Sequence, residues 1–220
     1  MIRHIDPRNY IGPMLSFGLV SAAVAIYFTV HGLPWNIQAD ESEFTVIQLA
    51  EFSESLAESS ALAQYGGLLW TLNDSGAGPV VHSLGNDGSE QDSILIEGAD
   101  NVDWESMAHD GEYLYVADTG NNANTRDVFA IYRIAWPDLL EGQAVAERIE
   151  LRYNDYERGR PTSHNFDAEG LAVRGDELWL FTKNRGDRQS KLYRFPKQPG
   201  SYSPQPQQQL PVDALVTAAD

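Results

Sequence analysis

Asp103-Trp104-Glu105 and Asp167-Ala168-Glu169 place paired carboxylates at matching points of a repeated pattern, and Asp118 follows the first pair after a short apolar run. Acidic side chains brought together in this way can bind a hard cation such as Ca2+, which takes oxygen ligands from Asp, Glu and carbonyls. They can equally brace tight turns by accepting backbone N–H bonds. Recurrence in successive repeats favours bracing, because a metal centre needs convergence at one place. Asp103, Glu105, Asp118, Asp167 and Glu169 are thus the Ca2+ candidates of the less favoured reading, and bracing requires no cofactor. The chain has no EF-hand spacing, no paired metal-binding histidines and no cysteine. A thiolate zinc site and a disulfide framework are therefore excluded.

Asn73, Asp74, His164, Lys183 and Arg185 form a second group, suited to binding a ligand at the same mouth. Lys183 and Arg185 supply local positive charge, which can hold an anion but suits neutralisation of nearby carboxylates better. Ser75 and Ser106, with His82, His109 or His164 as base, are the serine candidates for nucleophilic catalysis. Gly-x-Ser-x-Gly is absent, and a serine beside glycine is usually a turn residue.

The elements that must position these side chains repeat three times. Asp103 to Ala108, Gly111 and Leu114-Tyr115-Val116 run into Asp118-Thr119-Gly120-Asn121-Asn122 and close on Ile131-Tyr132-Arg133. Asp167 to Ala172, Gly175 and Leu178-Trp179-Leu180 run into Thr182-Lys183-Asn184-Arg185-Gly186 and close on Leu192-Tyr193-Arg194. A weaker copy has Ser60-Ala61-Leu62-Ala63, Gly66-Gly67, Leu69-Trp70-Thr71 and Asn73-Asp74-Ser75-Gly76. Trp70 and Tyr115 lie 45 residues apart, and Tyr115 and Trp179 lie 64 apart. Repeats of roughly 40–50 residues built from short strands are the sequence sign of propeller blades. The longer interval reads as one blade with an insertion at 154–165. Further strands are expected at 44–52, 93–96 and 147–153, and Trp70, Trp104 and Trp179 should be core between blades. Residues 196–211, rich in Pro, Gln and Ser, should pack no core.

Net charge is −17, from 32 acidic and 15 basic side chains, and such a field repels phosphate backbones, which argues against nucleic acid as a partner. Ile11 to Val30 is a run of 20 residues without charge, long enough as a helix to span about 30 Å of hydrocarbon. Arg3 and Arg8 precede it, and Asp40, Glu41 and Glu43 follow. The expectation is a cytoplasmic head at 1–10, a membrane anchor at 11–33, a linker at 34–43 and an exported β-rich body at 44–220. The competing reading is a signal peptide cleaved after Ile37-Gln38-Ala39, less favoured because its apolar region would be longer than the roughly 7–15 residues such signals use. The location expected is the inner (plasma) membrane, single-pass, with the body periplasmic or extracellular.

Leu69-Trp70-Thr71-Leu72-Asn73-Asp74-Ser75-Gly76, Asp103-Trp104-Glu105, Asp118-Thr119-Gly120-Asn121-Asn122 and Phe181-Thr182-Lys183-Asn184 together resemble a bacterial family of six-bladed β-propellers, mostly uncharacterised. The resemblance covers about 45–220. It implies an all-β class and, at this length, a partial β-propeller of about three four-stranded antiparallel blades behind one transmembrane helix. Relatives on that scaffold include lactonases, phytase-like phosphoesterases and binding modules, so the fold does not decide the activity. Three blades cannot close a ring, so the open edge should need further blades or a partner. The expected function is a binding or accessory module within an envelope or membrane complex, its partner another membrane or periplasmic protein. The alternative is a Ca2+-dependent hydrolase of phosphoesterase or lactonase type, and catalysis is the less favoured of the two.

Overall fold

The structure is a computed structural model and describes residue 48 and residues 50–158 and 163–220. Three sheets follow one another along the chain. Sheet one is β1 (Ser59–Tyr65), β2 (Leu68–Asn73), β3 (Val80–Leu84) and β4 (Glu90–Leu95), paired in that order. Sheet two contains β5 (Trp104–His109), β6 (Tyr113–Asp118), β7 (Phe129–Ala135) and β8 (Glu147–Leu151), with the short helix α1 (Trp136–Leu140) after β7. Sheet three contains β9 (Ala168–Arg174), β10 (Glu177–Thr182) and β11 (Ser190–Pro196).

The first two strands of each sheet are joined by a turn that needs a left-handed residue. Gly66 and Gly67, Gly111, and Gly175 hold these places with φ between +60° and +88°, where a side chain would be strained. The following strand then places alternate residues on opposite faces. In β6, Leu114 and Val116 face sheet one, while Tyr115 and Ala117 face sheet three. Two apolar cores result. Trp70, Leu72, Val81 and Ile94 meet Met107, Leu114, Val116, Tyr132 and Ile134 in one. Tyr115, Phe129, Ile131 and Leu151 meet Leu171, Leu178, Leu180, Tyr193 and Phe195 in the other.

This architecture corrects the expected one. The protein is all-β, but its sheets are not about three like four-stranded antiparallel blades behind a transmembrane helix. Sheet two has a fifth strand, β12 (Gly200–Tyr202), which the chain supplies just after β11 of sheet three and which pairs parallel with β8. Among the described residues no helix is long and apolar enough to cross a membrane. The anchor at 11–33, the head and the linker lie outside the described residues.

Two smaller corrections have physical causes. The Pro- and Gln-rich stretch supplies both β12 and β13 (Pro206–Leu210), the outer strand of sheet three. A ladder needs only backbone N–H and C=O groups, so an edge strand can be polar, and proline is tolerated at its first residue. The longer interval in the repeat is not one insertion. It is shared between 119–128, the segment of α1 and its flanks up to β8, and 152–167. The strand expected at 44–52 lies largely outside the described residues, and residues 50–52 join no sheet.

Candidate metal centre

The acidic pairs sit where the three sheets meet. β5 lies against both β1 and β9. Cross-sheet hydrogen bonds hold the strand ends in place: Ser60 Oγ donates to the Trp104 carbonyl (2.9 Å), Thr119 Oγ1 to the Ala168 carbonyl (2.7 Å), and Leu171 N to Ser106 Oγ (3.2 Å). Asn101 Nδ2 donates to the carbonyls of Asn73 (3.1 Å) and Asp74 (3.0 Å), which fixes the end of β2 beside the start of β5. The site is thus assembled from one strand end and two strand starts, each tied to its neighbour.

Two of the expected Ca2+ candidates are fully engaged in bracing. Asp118 Oδ1 accepts from Asp103 N (2.9 Å) and pairs with Arg126 Nη2 (3.0 Å). Asp167 Oδ1 accepts from Asn121 N (2.9 Å), and its Oδ2 pairs with Arg185 (3.0 Å). Glu169 accepts from Lys183 Nζ. Lys183 and Arg185 accordingly neutralise carboxylates.

Asp74, Asp103 and Glu105 are different. Their carboxylate oxygens lie within 4.8 Å of one another, and Glu105 stands in the same relation to Asp167 and Glu169. Glu105 is 7% exposed, and among the described residues no N–H or O–H is hydrogen-bonded to its carboxylate. The side-chain partner of Asp103 is another acid, Asp74. Burial first, and then the charges of Glu169, Asp74, Asp103 and Asp167, push the Glu105 carboxyl up to about 10. Burial, with Asp74 next, raises Asp103 to about 7. Burial also lifts Glu169 to about 7, against the pull of Lys183. Buried like charges resist joint ionisation unless a proton or a cation compensates them.

Gly120 completes the cradle. A Cβ at this position would run into the Asp103 carboxylate and reach Glu105 Oε1 at 2.6 Å. The backbone here closes directly over the oxygens, and any side chain would fill the space between them.

The repeat is broken at one point. The residue just after the second strand is Asp74 in sheet one, Thr119 in sheet two and Lys183 in sheet three. An acid, a neutral group and a base therefore stand at equivalent places, so acidity concentrates around Glu105 and is relieved around Glu169. Sequence comparison by repeats aligned Asn73, Asp118 and Thr182 but did not use the next position. Asp74, placed above among ligand-binding candidates, in fact joins the carboxylate group, and Gly120 gave no signal in the sequence.

The other candidates lie elsewhere or serve the scaffold. Asn73 Nδ2 donates to the Ser55 carbonyl (2.8 Å), while its Oδ1 is buried without a partner. His164 is 5% exposed; its Nδ1 accepts from Phe166 N (3.3 Å) and its Nε2 lies 3.2 Å from the Asn122 carbonyl. It lines a different cavity, of about 390 Å3, with Asn124, Asp155, Arg158 and Lys191. Ser106 is engaged with Leu171, and neither it nor Ser75 is hydrogen-bonded to a histidine.

No family model matches the chain, and no curated protein matches it. Among solved structures, the computationally designed Ika4 protein is similar over 79% of this chain and 86% of its own, at 10% identity and a TM-score of 0.39. A likeness of that size carries no argument about fold or function.

Proposed function

We propose that the protein is a binding module organised around a divalent cation of the Ca2+ class, held by Asp74, Asp103 and Glu105. The observation that carries this reading is Glu105, a buried carboxylate without a donor among the described residues that faces other carboxylates. Oxygen-only ligands select a hard cation, and three carboxylates leave coordination positions for water or an oxygen atom of a bound partner. Asp167 and Glu169 close the acidic wall, with Arg185 and Lys183 setting its limit. The exported location expected from the N-terminal sequence fits this reading, because Ca2+ sites of modest affinity suit extracellular modules. The partner proposed is another envelope protein that supplies an oxygen ligand to the cation.

Calcium titration followed by thermal unfolding tests the site. Ligand at a hundredfold over its dissociation constant stabilises by about 2.7 kcal/mol. We expect a concentration-dependent rise in Tm that chelator reverses and Glu105→Gln abolishes. An unchanged Tm in the wild type would remove the metal reading.

A second reading, a Ca2+-dependent hydrolase of phosphoester or lactone bonds, is favoured by one observation, the break in the repeat at Asp74. Turnover of simple phosphomonoesters or lactones that needs Ca2+ and is lost in Glu105→Gln would support it over binding alone. Absence of turnover with Ca2+ bound would leave the binding reading.

A further inference from the structure

Glu105 stands at the junction of two groups of acids. One contains Asp74 and Asp103, the other Asp167 and Glu169, and within each group carboxylate oxygens lie within 4.8 Å of one another. The second group is the deeper one: Asp167 is 0% exposed, and Glu105 and Glu169 are each 7% exposed. β9 lies against β5, and the bond from Leu171 N to Ser106 Oγ ties the two strands together beside the two glutamates.

The two groups differ in what stands inside them. In the second, Lys183 Nζ donates to Glu169, and the Lys183 side chain is 16% exposed. The Lys183 backbone N–H donates to the Asp167 carbonyl (2.8 Å), which anchors the residue beside the acids. Its flexible stem then carries the ammonium back to Glu169. Asp167 is held by Asn121 N (2.9 Å) on Oδ1 and by Arg185 (3.0 Å) on Oδ2. An ionised carboxylate has about four lone-pair sites, so Asp167 keeps acceptor capacity after these bonds. Glu105 adds an oxygen that has no donor among the described residues. Lys183 follows β10 where Asp74 follows β2. At one position of the repeat, the chain thus supplies a ligand for a cation in sheet one and a cation in sheet three.

We propose that the Lys183 ammonium occupies a second divalent-cation place, formed by Glu105, Asp167 and Glu169, and keeps a Ca2+ ion out of it. Oxygen-only ligands again select a hard cation. A tethered ammonium brings one positive charge and only hydrogen-bond donors, so it satisfies oxygens that would otherwise ligate the metal. Lys183 thereby confines Ca2+ to the place beside Asp74 and Asp103. The proposal deepens the cation reading above by naming what limits the number of ions. It rests on that reading for Glu105 but uses neither Asp74 nor Asp103, so the two can fail separately.

Calorimetric Ca2+ titration of the purified full chain in mild detergent counts the ions bound per chain. Lys183→Met should bind one Ca2+ more than the wild type. Lys183→Arg, which keeps a positive charge in place, should bind the same number as the wild type. Circular dichroism at saturating Ca2+ checks folding, and Lys183→Gln, whose amide can still donate to Glu169, replaces Lys183→Met if the latter is unfolded. An equal count in the wild type and the neutral variant would overturn the proposal. So would an equal gain in Lys183→Arg, or neutral variants that both stay unfolded at saturating Ca2+, since the ion should replace the ammonium. A wild type that binds no Ca2+ beside a Lys183→Met that binds one would remove the earlier reading and leave this one. One ion in each would do the reverse.

Discussion

Glu105 and Glu169 occupy the same place in successive sheets, at the same depth of burial, yet among the described residues only Glu169 has a cationic partner. Glu169 accepts from Lys183, and its companion Asp167 pairs with Arg185. Glu105 faces Asp74 and Asp103, and its carboxyl rises to about 10 where that of Glu169 rises to about 7. The backbone that holds the two is alike; Lys183 follows the second strand of the sheet of Glu169 where Thr119 follows that of Glu105, and Asp74 reaches Glu105 from sheet one. A repeated scaffold can thus carry structural acids in one unit and an acid available for a ligand in the next, through exchanges at the position just after the second strand.

The largest effects should come from breaking the relieved pair or the core beside it. Lys183→Met strands Glu169 among acids and should cost about 3–5 kcal/mol, as loss of one partner of a buried pair does. Denaturant unfolding in chelator at neutral pH measures it. A cost below about 1 kcal/mol would mean that the two glutamates do not differ as described. Tyr115→Ala should cost about 3–5 kcal/mol, while the equivalent Trp179→Ala should cost about 1 kcal/mol. Equal costs would erase the distinction between the buried and the half-buried aromatic.

Removing the unrelieved acid should have the opposite sign. Glu105→Gln removes a carboxyl that must take up a proton to be buried beside the other acids, and in chelator at pH 8 it should stabilise by about 1–2 kcal/mol. Gly120→Ala should leave the sheets folded but weaken Ca2+ binding at least tenfold, read by calorimetric titration. Wild-type affinity in that variant would remove the cradle from the site.

The smallest effect is a slope with pH. Asp103, Glu105 and Glu169 all hold protons more tightly in the folded chain than a free carboxyl does. The contribution of these protons to stability is complete below about pH 4 and is lost as pH rises through about 7 to 10. In chelator, Tm should fall between pH 5.5 and pH 8.5, and Glu105→Gln should flatten that fall. With saturating Ca2+ the slope should weaken, because the cation replaces the protons. A Tm that rises over this window in chelator would contradict the burial of the cluster.

The sequence by itself determined the repeat, the strands of its second positions and the acids worth attention. Gly111 and Gly175 mark turns that few other residues can make, and Leu114-Tyr115-Val116 and Leu178-Trp179-Leu180 announce alternating faces. These signals are local, spanning two to ten residues, so they survive without the fold. Tertiary structure decided the partners. That Asp118 and Asp167 are occupied by backbone N–H groups and arginines, while Glu105 faces a cluster of acids, depends on contacts between strands tens of residues apart. The placement of 200–202 beside β8 was equally hidden, because backbone pairing needs no apolar side chain to reveal it. Trp70 and Trp179 look alike in sequence and differ in burial because sheet two covers Trp70, while Trp179 lies on the face of sheet three turned away from sheet two. Residue type and spacing name the groups that can do chemistry; only their packing says which of them is left with charge to spare.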